Sequence, residues 1–116
     1  MKKIINMSFA ALALTFASWS FAGEGSSCHF HGSKKAKEST IEQCANQRRD
    51  LYLKNGTIDA SWSDVKPSVI ELVDGAKRKE WRVRFDNPQA SDSTKDQLFM
   101  FFTLPGNFIA ANYSGK

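Results

Sequence analysis

Glu80-Trp81-Arg82-Val83-Arg84-Phe85-Asp86 alternates without a break: Trp81, Val83 and Phe85 fall on one face of an extended chain, Arg82 and Arg84 on the other. A segment patterned this way is a half-buried strand of an antiparallel sheet with one wet face. Upstream, Ser68 to Val73 is rich in β-formers and Asp74-Gly75 is a turn signal, so the two runs read as a hairpin. Downstream, Asn87 to Asp96 contains Pro88 and mostly polar residues, the composition of a surface loop. A third strand is expected over Gln97 to Leu104, and Pro105-Gly106 suits a type II turn or a close relative. Asn107 to Tyr113 then forms a fourth strand.

Before the sheet the period changes from 2 to 3.6. Ser39 with Glu42 three residues on has the form of a capping box, and Asn55-Gly56 offers a stop. Between them Ile41, Cys44, Ala45, Leu51 and Tyr52 share one helical face. Arg48 projects from the middle of that stripe, and its stem is expected to lie across apolar surface rather than anchor a ligand. A connector with Trp62 and Pro67 joins the helix to the sheet. The predicted architecture over residues 39–116 is α+β: one N-terminal helix packed on a four-stranded antiparallel sheet.

The third strand does not fit a sheet with one wet face. Leu98, Met100, Phe102 and Leu104 point one way, while Phe99 and Phe101 point the other, so both faces are apolar. A single helix covers only one face. Phe99 and Phe101 are therefore expected to be covered by the connector with Trp62 or the segment with Phe30, or else to meet a partner protein or a second copy.

The N-terminus states a destination. Met1-Lys2-Lys3 is followed by an apolar run from Ile4 to Ala17, interrupted by Asn6, Ser8 and Thr15, and then by Ser18-Trp19-Ser20-Phe21-Ala22. A basic head, an apolar middle and small residues before a cut after Ala22 are the parts of a secretory signal peptide, with no membrane anchor retained. A retained anchor is the competing reading, and a lipoprotein lacks the large aliphatic residue expected three positions before Cys28. Export implies a periplasmic protein of 94 residues, one domain in size. The formal charge of the full chain is +4. Removing Lys2 and Lys3 with the signal lowers it to +2, which removes the argument for a nucleic-acid partner.

The stretch 23–38 is Gly/Ser-rich at its start and reads as a flexible lead-in. It contains Cys28-His29-Phe30-His31. In an extended segment His29 and His31 point the same way and can converge on one ion, and adding Cys28 or Cys44 gives a thiolate set suited to Cu or Zn. The competing account joins Cys28 to Cys44 in a disulfide, closing a loop of about 15 residues and contributing roughly 3 kcal/mol. The metal set and the bridge compete for the same sulfurs. No nucleophile with a positioned base is evident, since both histidines sit in the lead-in, and Asp59 and Asp64 read as turn residues. The chain is not expected to be an enzyme.

Ser61-Trp62, Glu80-Trp81-Arg82-Val83-Arg84-Phe85-Asp86-Asn87, Phe102-Thr103-Leu104-Pro105-Gly106 and Ala110-Ala111-Asn112-Tyr113-Ser114-Gly115 resemble an uncharacterised family of small secreted bacterial proteins that join a His-containing N-terminal stretch to a helix and a sheet. More distantly, the order of helix, Trp-x-Val-x-Phe strand and Gly-turned hairpin is similar to the PepSY group of extracytoplasmic modules, which implies binding or inhibition. The expected function is a small exported binding module with a weak transition-metal site in the Cys-His-x-His segment. The alternative is a dedicated periplasmic protein for Cu or Zn.

Overall fold

The computed structural model describes residues 28–116, so the signal-peptide reading over residues 1–22 and the first part of the lead-in lie outside the described residues. One helix packs on a four-stranded antiparallel sheet, as the periodicities predict. The elements are α1 (Glu38–Lys54), β1 (Pro67–Asp74), β2 (Lys79–Asp86), β3 (Gln97–Thr103) and β4 (Phe108–Asn112), with the strands side by side in chain order. No helix among the described residues is long and apolar enough to cross a membrane.

Helix α1 starts earlier than the capping-box reading places it. Lys37 is the N-cap and makes no side-chain cap; its carbonyl accepts from the N–H groups of Thr40 and Ile41. Ser39 is thus already inside the first turn, where its hydroxyl cannot serve as the cap. Glu38 in that turn sets a negative charge against the positive end of the helix. The helix stops at Asn55, as expected. Its buried residues are Ile41, Cys44 and Ala45, while Leu51 is 42% exposed. Leu51 lies at the rim, beside a small hollow lined also by Arg48, Phe108 and the two cysteines. Arg48 lays its guanidinium 3.8 Å from the centre of the Phe108 ring, a cation–π contact over apolar surface.

The β2–β3 register pairs Trp81 with Phe102, Val83 with Met100 and Phe85 with Leu98. All six side chains are buried on the helix side, together with Ile58 and Trp62 from the connector. The hairpin between β3 and β4 closes with the Gly106 N–H donating to the Thr103 carbonyl at 2.9 Å. Pro105 therefore occupies the third turn position and Gly106 the fourth, one place later than the type II reading. Gly106 has φ +114, and a Cβ there would lie 2.9 Å from the Phe30 ring, so glycine is required twice over.

Candidate functional site

Two regions carry the residues singled out by the sequence: the outer face of the sheet and the segment that begins at Cys28. On the outer face the register sets Arg82 opposite Phe101 and Arg84 opposite Phe99. Neither Trp62 nor Phe30 covers these phenylalanines, because both pack with the helix-side core. The cover comes from the last residues of the chain. Asn112 accepts from the N–H groups of Ser114 (3.1 Å) and Gly115 (2.8 Å), which curls the tail back over the sheet. Arg82 donates to the Gly115 carbonyl at 3.1 Å and to Glu71 on β1 at 2.7 Å, tying tail, β2 and β1 together. Gly115 has φ +77, and a Cβ there would stand 3.0 Å from the Phe99 ring. That contact is tighter than ordinary packing and the left-handed φ favours glycine, so a side chain here would strain the tail or push the ring aside. Phe99 is left half-buried and Phe101 is 8% exposed.

Beside the tail the outer face is not flat. Phe101 pairs with Ala110 and Phe102 with Phe108, so Ile109 is the extra residue of a β-bulge in β4. A bulge breaks strict alternation, and Ile109, 44% exposed, joins Ala110 in lining an open groove of about 340 Å³. Phe101 and Val73 add to its apolar floor, and Arg82, Lys116, Glu80 and Asp74 give it a rim of both charges. At the far end of the face Arg84 pairs with Asp86 at 3.1 Å. Burial pushes the Asp86 carboxyl up, but hydrogen bonds from Ser68, Arg84 and Gln97 outweigh it and hold the group below its ordinary value.

The second region is the cysteine and histidine segment. Cys28 and Cys44 are joined in a disulfide, with Cα atoms 5.7 Å apart. In this oxidised form neither sulfur is a thiolate, so the set of Cys28, His29, His31 and Cys44 reduces to its two imidazoles. Composition reads the stretch as a flexible lead-in, yet from Cys28 onward it is fastened at three places. The disulfide is the first. At the second, the Phe30 N–H donates to Asn107 Oδ1 at 2.7 Å while Asn107 Nδ2 donates to the Phe30 carbonyl at 2.8 Å. At the third, the Ala36 N–H donates to the Leu104 carbonyl at 2.8 Å. His29 and His31 are exposed, with ring centres 5.1 Å apart. Among the described residues no three or more His, Cys, Asp or Glu side chains converge into a larger ligand set.

Three of these features were not read from the sequence. The Asn112-Tyr113-Ser114-Gly115 run has the form of an Asx turn and was legible as one. The bulge at Ile109 and the Asn107 clamp, which spans 77 positions, have no local signature. Comparison with curated proteins gave no match, and comparison with solved structures gave none either. One family does match, the family of unknown function DUF6488, and since the match runs over residues 1–116 the chain belongs to it.

Proposed function

We propose that this protein is a small exported binding module, without catalytic activity, that engages a protein partner through the outer face of its sheet. The observation that carries the reading is the β4 bulge, which turns Ile109 onto the same face as Ala110 and Phe101 around an open groove of about 340 Å³. Bulges recur where a strand must re-aim a side chain toward a ligand. Here the re-aimed side chain is a large aliphatic one set in water, with Arg82 at its flank. A partner that places an apolar side chain over Ile109 and Ala110 recovers the burial that the fold leaves undone, and the charged rim orients it. Export is supported by the composition of residues 1–22 and by the disulfide, a bond at home in oxidising compartments such as the periplasm. The succession of helix, Trp-x-Val-x-Phe strand and Gly-turned hairpin supports the likeness to PepSY-type extracytoplasmic modules.

The test is site-specific photo-crosslinking in exporting cells, with the crosslinking side chain placed at Ala110 and, as a control, at Lys66. A discrete protein adduct from position 110, absent from position 66 and lost when Ile109→Asp is added, is the expected result. Equal labelling from both positions would sink the groove as the working surface. An adduct with the mass of two copies would make the partner a second copy of this chain.

A further inference from the structure

We infer that His29 and His31 form a preorganised two-imidazole site for a divalent first-row transition ion, with Cu(II) held ahead of Ni(II) and Zn(II). The inference does not depend on the outer-face groove. It starts from the alternation of the segment: Cys28 and Phe30 face inward, one into the disulfide and the other against Gly106 and Ile41, while His29 and His31 are exposed. Residues 29–31 lie in neither helix nor strand, and of this run the two imidazoles are the side chains left in solvent.

Distance supports convergence. Imidazoles bound to one ion through N–metal bonds of about 2.0–2.1 Å, in neighbouring positions of a square or tetrahedral shell, have ring centres roughly 4.5–5 Å apart. The rings of His29 and His31 are 5.1 Å apart. The rings stand edge to face at 88°, so each must turn about its exposed side-chain torsions to bring a nitrogen onto a common point.

The backbone is the decisive part. A His-x-His pair on a disordered chain loses conformational entropy when it closes on an ion. Here Cys28 is bonded to the helix, and both polar groups of the Phe30 backbone are held by Asn107 from the hairpin between β3 and β4. Each histidine therefore has a pinned neighbour, and the ordering is completed on folding rather than on binding. Imidazole nitrogens suit Cu, Ni and Zn, and for a given nitrogen site affinity rises to a maximum at Cu(II). With no third protein ligand converging among the described residues, the ion keeps open positions for water or for an incoming donor. Such a site holds an exchangeable ion, in contrast to the closed four-ligand shells of structural zinc.

The experiment is titration of the oxidised, signal-cleaved protein with Cu(II) against a competing weak chelator. Calorimetry gives affinity, native mass spectrometry gives stoichiometry, and pulsed electron paramagnetic resonance counts coordinated imidazoles. One ion per chain with two imidazoles is expected. His29→Ala and His31→Ala should each weaken binding by roughly 10-fold or more, and Asn107→Ala, which removes no ligand, should weaken it within the roughly 10–100-fold range seen when ligand-orienting groups are lost. Circular dichroism of each variant checks that the fold is intact, which the exposure of both histidines favours. An unchanged affinity in the double histidine variant, or a spectrum with fewer than two imidazoles, overturns the site. Binding that survives Asn107→Ala at full strength in a folded protein overturns the claim of preorganisation.

Discussion

The two faces of one sheet are built from the same strands and end differently. On the helix side, Trp81, Val83 and Phe85 of β2 meet Leu98, Met100 and Phe102 of β3 under Ile41, Cys44 and Ala45, and water is excluded. On the other side, Phe101 is buried but Phe99 is only half-buried under the curled tail, and the groove beside Phe101 stays open. Burial on the first face is completed within the chain. On the second it is half completed, with a glycine laid on a ring in place of a packed layer. The contrast teaches that a strand apolar on both faces need not be buried evenly on both: one face was closed by an element and the other in part by the curled tail.

The largest effect should come from the closed face. Phe85→Ala removes a ring with no exposed area from the centre of the core and should cost about 3–5 kcal/mol in urea unfolding. The matching change on the open face, Phe101→Ala, should cost less by about 1 kcal/mol or more, because the space it leaves borders the groove and can take water. Equal losses would erase the distinction between the faces.

Next in size is the disulfide. Cys28→Ser with Cys44→Ser should lower stability by about 3 kcal/mol, from the loop of unfolded chain that the bridge restrains. It should also speed amide exchange between Phe30 and Ala36 more than in β2 and β3, since it removes one of the three fastenings of that segment. Gly115→Ala probes the tail. A Cβ would stand 3.0 Å from the Phe99 ring at φ +77, so a loss of about 1–2 kcal/mol and brighter binding of a hydrophobic dye are expected. No loss and no added dye binding would mean that the tail is not what covers Phe99.

The smallest effect is electrostatic. The Asp86 carboxyl is held below its ordinary value, so its contribution is present above the unfolded-state value and is lost as pH falls through the folded one. Asp86→Asn should therefore flatten the acid limb of the stability curve, while at neutral pH the change stays below about 1 kcal/mol because the pair with Arg84 is about one-third exposed. An acid limb identical to that of the parent would remove Asp86 from the account.

Much of this molecule was determined by local sequence alone. The alternation of Glu80 to Asp86, the helical stripe of Ile41, Cys44 and Ala45, and the stops at Asn55-Gly56 and Asp74-Gly75 set the elements and their order, since side-chain direction and turn geometry depend on neighbours a few residues apart. The pairing of Cys28 with Cys44 was open between a bridge and a ligand set. Tertiary structure decided it by bringing their Cα atoms to 5.7 Å, and with it took both sulfurs out of any thiolate ligand set. It alone placed Asn107 on the backbone of Phe30, laid Gly115 on Phe99 and put Ile109 on a bulge. Each of these is a meeting of segments far apart in the chain or a shift of register between strands, and neither leaves a mark in the local pattern of residues.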